Sequence, residues 1–262
     1  MKVASISLTA VLMAAVLSGC ASMYTKDGAP NDPFESVNRK VFAFNDTLDH
    51  YALKPIAQGY DAITPQPVQD GVANFFGNLG EVGNMANGVL QGNPKIVSIS
   101  LSRFIINTTL GLGGILDPAT QLGIASRHED VGKTLAAWGV RSGPFLMLPI
   151  LGPSTLRDTA GKPGDWYLSP TRHIHDDYVR WGLYGVNMVN WRASLLAQEK
   201  LLQGDRYTLL RDAWMQRRQF EIDGNQTRQD PFASGDFDYD APPAPAPAPA
   251  AAPTPSRTAP AH

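Results

Sequence analysis

The strongest constraint on this chain is where its charges are missing. Between Val82 and Leu116 the only charged residues are Lys95 and Arg103, and between Thr134 and Leu156 the only one is Arg141. No uninterrupted apolar run in either stretch approaches the roughly 18 residues that a membrane-crossing helix requires. Segments this apolar that cannot span a bilayer are either core buried in protein or surface lying in lipid, and composition leaves both open. The charged fraction is 18% and the net charge −2. A balance this close to zero argues against nucleic-acid binding and against a polybasic membrane patch.

The N-terminus narrows the compartment. Lys2 precedes an almost wholly apolar Ile6–Leu17 run, and Ser18-Gly19 put small residues before Cys20, the single cysteine of the chain. This is the pattern of a secretory signal peptide, too short and wrongly flanked for a membrane span. Leu17-Ser18-Gly19-Cys20 resembles a bacterial lipobox, which implies a signal peptide over residues 1–19, cleavage before Cys20 and lipidation of its thiol. Ala21, where an aspartate would signal retention, implies export to the outer membrane. More than one acyl chain anchors a protein stably. Residues 20–30 are then a lipidated tether.

Helical periodicity organises the rest. Asp32-Pro33-Phe34-Glu35 predicts a helix start with Asp32 as N-cap, Pro33 at the first position and Glu35 closing a capping box. Phe34, Val37, Val41, Phe44, Leu48 and Tyr51 form an apolar stripe, expected to end at Lys54-Pro55, with residues 57–66 as a connector. A second stripe runs through Val68, Val72, Phe75, Leu79, Val82, Ala86 and Val89. Gln69, Asn74, Asn78, Glu81, Asn84 and Asn87 give its other faces a polar coat suited to an interface. Each interior glycine, from Gly71 to Gly88, weakens this helix by up to ~1 kcal/mol relative to alanine, which points to close helix contact or a bend. Gly92-Asn93-Pro94 is a stop signal.

Residues 95–116 are apolar nearly all round. Ser100, Arg103, Asn107, Gly111 and Gly114 fall on one narrow line of the helix, at offsets 0, 3, 7, 11 and 14. A polar stripe holding a cation needs solvent, an anion or a partner. Either Arg103 snorkels to the surface, or the stripe faces a wet channel or a phospholipid headgroup. Gly139, Gly143, Pro144, Pro149, Gly152 and Pro153 exclude a regular helix over residues 134–156. Asp176-Asp177 cap a further helix carrying Trp181, Tyr184, Met188, Trp191 and Leu195, and Tyr207, Leu210 and Trp214 mark a last one. Alternating β-branched runs are few, so the fold is expected to be mainly α. Residues 233–262, dominated by Ala and Pro, read as a disordered tail with polyproline character.

Catalytic signatures are missing. Gly132-Lys133-Thr134 ends like a phosphate-binding loop, but Arg127 occupies the position of its first glycine. No Gly-x-Ser-x-Gly elbow exists, which weighs against a lipid hydrolase. His173, His175, Asp176 and Asp177 are better read as a polar helix-start loop than as metal ligands. No cofactor, metal or catalytic residue is expected.

Taken together, "NDPFESVNRKVFAFND" (31–46), "QGNPK" (91–95), "RFIINTTLGLGGILDPAT" (103–120), "TLAAWGV" (134–140) and "GPFLMLPILGPSTLRD" (143–158) strongly resemble the MlaA/VacJ family of outer-membrane lipoproteins. The likeness runs over residues 31–232. It implies a ring-shaped helical protein, membrane-embedded in the inner leaflet of the outer membrane and facing the periplasm, with a central amphipathic channel. Through that channel phospholipids misplaced in the outer leaflet would leave towards a periplasmic carrier, with a trimeric porin as a further partner. The resemblance also implies a flexible loop adjusting the channel, carried here onto Gly139, Gly143 and Gly152. It places a basic channel residue at Arg180, in Arg180-Trp181-Gly182-Leu183-Tyr184-Gly185. The Ser100, Arg103 and Asn107 stripe is a separate candidate from the residues alone. The alternative is a structural, porin-associated lipoprotein without lipid transport.

Overall fold

The computed structural model describes residues 23–25, 28–199 and 204–224. The signal segment, Cys20 and the Ala/Pro tail lie outside the described residues. Helices dominate, joined by one two-stranded hairpin.

The first helix, α1 (Glu35–Leu48), begins at a different place from the one its capping motif predicts. Phe34 is the N-cap and no side chain caps the helix. Asp32 serves other partners: Asn38 Nδ2 donates to it at 2.8 Å, and the Tyr207 hydroxyl and Arg211 reach its other oxygen. A carboxylate gains more from a guanidinium than from a neutral N–H, so the tertiary contacts win. Glu35 likewise pairs with Arg39 at 2.7 Å instead of reaching back.

Lys54-Pro55 does not stop the chain. Residues Asp49–Leu53 widen into a π-turn that leads directly into α2 (Lys54–Ile63), with Pro55 in its first turn. The wider turn absorbs the N–H that proline lacks, so the predicted connector is helical. The break falls instead at Thr64-Pro65, before α3 (Gln66–Leu90). The next turn forms as expected. Gly92 adopts φ 64°, and the Asn93 side chain accepts from Lys95 N and Ile96 N to start α4 (Pro94–Thr109).

Helix α3 packs most extensively against α4. Two glycines permit the approach: a Cβ at Gly88 would stand 2.8 Å from Ile96 Cγ2, and one at Gly71 would stand 3.0 Å from Ile115 Cγ2. Gly77, Gly80 and Gly83 face open space and make no such contact. Short helices α5 (Pro118–Gln121) and α6 (Val131–Ala137) follow.

Residues 138–155 resolve into ordered structure. Gly139, at φ 87°, ends α6 in a Schellman turn, with Val140 N bonded to Leu135 O at 2.9 Å. Strands β1 (Phe145–Leu148) and β2 (Gly152–Thr155) pair antiparallel, Phe145 opposite Thr155 and Leu148 opposite Gly152. Helix α1 covers the free edge of β1 with two asparagines one heptad apart. Asn38 donates to Phe145 O and accepts from Met147 N; Asn45 donates to Leu148 O and accepts from Ile150 N. The side chains thus stand in for a third strand and protect an exposed edge.

Helix α7 (Leu156–Leu168), a 3₁₀ turn (Pro170–His173), α8 (Asp177–Ser194), α9 (Leu196–Glu199) and α10 (Arg206–Asp223) complete the described chain. The apolar core is small and sits under the hairpin: Met23, Phe145, Met147, Tyr207 and Met215, with Val41, Phe42 and Trp214 packed on it.

Elsewhere the burial pattern is reversed. Along α1 the predicted stripe is real but points outward: Val37, Phe44 and Tyr51 are exposed while Asn38 is buried. Along α3 the predicted polar coat is the buried face, with Gln69, Asn78, Glu81, Asn84 and Asn87 inside. Among the described residues, buried polar and charged side chains outnumber buried apolar ones.

Candidate functional site

The polar stripe of α4 lies at the centre of this reversed packing. Ser100 is 0%, Arg103 5% and Asn107 3% exposed. Arg103 donates to Glu81 at 2.7 Å, to Asp117 at 2.9 Å and to Thr120 at 3.0 Å, and also reaches Ile124 O. Asn107 donates to Asp117 at 2.9 Å and accepts from Ala119 N at 3.0 Å. Glu81 is held in turn by Ser126 and Asn84. Arg103 therefore does not snorkel to the surface: its charge is answered by the buried Glu81 and the partly exposed Asp117, the pairing a buried guanidinium requires. Glu81, the counter-ion, stands 22 residues upstream on another helix, and no local pattern links the two. Gly114 closes the same interface at φ 95°, where a Cβ would lie 2.6 Å from Asn78 Nδ2.

Arg180 occupies a different environment, in the first turns of α8. As Asp176-Asp177 predicts, Asp176 caps the helix, accepting from Tyr178 N at 2.8 Å and Val179 N at 3.1 Å. Arg180 is partly buried, ion-paired to Asp177 and bonded to Ile174 O at 3.2 Å. Beyond it α8 turns Trp181, Val186, Met188 and Trp191 outward. Its inner side carries Arg192, which joins Asp49 at 2.6 Å and Glu199 at 2.7 Å and fastens α8 to the π-turn. The Arg180 neighbourhood and the Arg103 network are separate sites.

Of the loop residues singled out above, Gly139 ends α6, Gly143 precedes β1 and Gly152 opens β2. Gly139, Gly143 and Gly152 have φ of 87°, 71° and 78°, a region that side chains rarely adopt. A Cβ on Gly143 would also meet Leu156 Cβ at 2.9 Å. The strands are buried at their base, through Phe145, Ser154 and Thr155, while Ile150 and Leu151 stand exposed at the tip. Asn45 of α1 ties the backbone of the tip at Ile150 N, so the tip's apolar side chains are exposed while its main chain is held.

The nucleotide-like and metal-like fragments have packing roles. Lys133 bonds Glu129 at 2.9 Å and His128 O at 2.6 Å, and Thr134 donates to Asn87 at 2.7 Å. His173 meets Tyr167 O at 3.1 Å. The described residues contain no cluster of metal-ligating side chains, and no described helix is long and apolar enough to cross a membrane.

A cleft of about 260 Å³ opens between α6, α7 and α10. Arg218 crosses it, bidentate to Asp130 at 2.6 and 2.7 Å and bonded to Asp158 at 2.9 Å. Burial alone would raise Asp130, but the Arg218 hydrogen bond and charge hold it down at about 2. Asp165 behaves oppositely: burial, helped by the Asp130 charge, lifts it to about 6 although it accepts from Val131 N at 2.6 Å. Glycines set this spacing, since a Cβ on Gly132 would collide with Asp158 at 2.4 Å.

A helical assembly that buries Asn, Glu and Arg while turning Val, Ile and Trp outward defines a class of protein made for an apolar exterior medium. Comparison with known proteins gives the family. The profile described as MlaA lipoprotein matches residues 30–221, and the chain belongs to this family. It is 35% identical over 226 residues to the intermembrane phospholipid transport system lipoprotein MlaA of Escherichia coli (strain K12), covering 81% of this chain and 87% of that one. The protein of the same description from Haemophilus influenzae is 35% identical over 234 residues, covering 82% and 89%. A solved structure described as the structural basis for maintenance of bacterial outer membrane lipid asymmetry superposes with a TM-score of 0.64 at 35% identity, covering 73% of this chain and 98% of that one.

Proposed function

We infer that this chain is an outer-membrane lipoprotein of intermembrane phospholipid transport, which maintains the lipid asymmetry of that membrane. It is a conduit and not an enzyme. The observation that carries this reading is the reversed packing within a member of the family: large apolar side chains of α1, α4 and α8, such as Val37, Phe44, Leu101, Ile105, Trp181 and Trp191, are exposed, while Asn, Glu and Arg of α1, α3 and α4 are buried. In water such a surface would be a liability; against acyl chains it is stabilised by the hydrophobic effect.

On this reading the helices form a ring in the inner leaflet around an amphipathic channel. Cys20 carries the acyl anchor at the head of the tether. Arg180 sits at the channel and steers headgroups by charge. The Gly139–Gly152 segment adjusts the channel, moving together with the contacts that Asn38 and Asn45 of α1 make to it. Lipid leaves to a periplasmic carrier of the pathway, and a porin trimer holds the protein in place.

The test is outer-leaflet phospholipid accessibility in a deletion strain. Wild type is expected to restore asymmetry. Cys20→Ala is expected to fail through loss of membrane attachment, and Arg180→Gln to fail with attachment intact. Normal asymmetry in the deletion strain would favour a purely structural lipoprotein. Full activity of Arg180→Gln would remove that residue from the channel.

A further inference from the structure

The corner joining α7 to α8 holds a cation that the fold positions without pairing. Arg172, in the 3₁₀ turn, lies over Trp166 with its guanidinium carbon 3.6 Å from the ring centroid. Its Nε is buried with no hydrogen-bond partner, and among the described residues no carboxylate pairs with the side chain. The other deeply placed arginines differ: Arg103, Arg192, Arg211 and Arg218 each meet carboxylates.

This arrangement has a chemical meaning. A guanidinium stacked on an indole keeps its N–H edge free, and that planar edge matches two oxygens of a phosphate. Stacking also restrains a long side chain, so less freedom is lost when an anion binds. The buried Nε stays unpaired within the fold, and the Nη groups are the donors left for an anion. Hydroxyls extend the polar ground: Ser169 Oγ and Thr171 Oγ1 lie 2.8 Å apart, and Thr171 donates to the Tyr184 hydroxyl at 3.0 Å. Trp166, Tyr167, Tyr178 and Trp181 on the flanking helix turns are exposed. These residue types settle at the headgroup level of a bilayer.

We propose that Arg172, held on Trp166, is a phosphate-binding site that takes the phosphodiester of a lipid headgroup or a free phosphate ion. It is distinct from Arg180, whose guanidinium is engaged by Asp177 and Ile174 O. The site goes beyond the transport reading, because a docking point for phosphate does not require lipid to pass through the protein.

The experiment titrates full-length lipidated protein in detergent with three probes: inorganic phosphate, dihexanoyl-phosphatidylglycerol, and dihexanoylglycerol, which lacks the phosphate. Binding is read by calorimetry. Arg172→Gln is expected to weaken the phosphate-bearing probes by about tenfold or more, the usual scale for a charge-assisted hydrogen bond, and to leave dihexanoylglycerol unchanged. Arg172→Lys keeps the charge without the fork and is expected to fall between, which preserves a readout if the glutamine variant does not fold. Arg172-dependence confined to the lipid assigns the source as membrane, and dependence confined to the ion assigns it as soluble phosphate; both support the site. Equal affinities in wild type and the folded variants would overturn it. Outer-leaflet phospholipid measured in the same variants separates this result from the transport reading.

Discussion

The α3–α4 pair and the hairpin corner solve the same problem in opposite ways. Under the hairpin, Phe145, Met147, Tyr207 and Met215 are buried and pack as in any water-soluble core. Between α3 and α4 the buried set is Asn78, Glu81, Asn84, Ser100, Arg103 and Asn107, while Leu101, Ile105 and Val89 point outward. Apolar contact drives association only where the alternative is water. Where the exterior is lipid, leucine gains nothing by turning inward, and hydrogen bonds and close glycine contacts hold helices together. The contrast is between an apolar core at the hairpin corner and a polar one between α3 and α4, as the membrane reading proposed above requires.

The largest effects are expected from breaking each region at its centre. Arg103→Met leaves the buried Glu81 without a cation and Asp117 without its partner, and should cost about 3–5 kcal/mol, read as a fall in thermal midpoint in detergent. Adding Glu81→Gln to it should recover part of that loss, because the cost lies in the unpaired charge. Phe145→Ala should cost about as much, ~3–5 kcal/mol, through a cavity, and no second polar change should restore it. If the double variant is no better than Arg103→Met, the α3–α4 interface depends on shape and not on charge balance.

A smaller effect tests the cleft. With its folded pKa raised to about 6 against an ordinary value of 3.8, Asp165 stabilises the fold fully below the lower value, and that contribution is lost as pH rises through about 6. Asp165→Asn fixes the neutral form, so it should stabilise the protein at pH near 8, by at most about 2 kcal/mol after screening at a half-buried site, and do nothing near pH 4. Asp130 carries the opposite sign. Held at about 2 against 3.8, its contribution is present above the unfolded value and disappears as pH falls towards the folded one. Relative to wild type, unfolding midpoints of Asp165→Asn and Asp130→Asn should therefore diverge in opposite directions as pH rises: the first gains and the second loses.

The smallest effect on folding should come from the outward faces. Leu101→Ser with Ile105→Ser should change stability in detergent by no more than about 0.5 kcal/mol per site, as for surface positions generally. The same pair should weaken membrane retention in a Cys20→Ala background, scored by fractionation. A large loss of stability in detergent would mean that this face is core after all.

Much of the helical layout was legible from residue order. The Gly92-Asn93-Pro94 turn, the Asp176 cap and the family phrases are local signals, and local geometry decides them. The Asp32 capping box was misleading, because three partners more than a hundred residues along the chain or on the next turn compete for one carboxylate. Pro55 was misleading because a π-turn is invisible to a rule that counts i to i−4 bonds. The two strands were hidden for a similar reason: their pairing depends on Asn38 and Asn45 of a distant helix as much as on their own residues.

By itself the sequence determined that the chain is mainly helical, where α3 ends and α4 and α8 begin, and which faces are apolar or polar, since these follow from periodicity and backbone sterics. Which face turns inward was decided only by the tertiary structure. A helical wheel records the contrast between faces but not the medium outside, and Arg103 could not be read as buried until Glu81 and Asp117 were brought to within 2.7 and 2.9 Å of it. Charge neutralisation across a packed interface is a property of three-dimensional proximity, and proximity between residues 22 positions apart is settled by the fold.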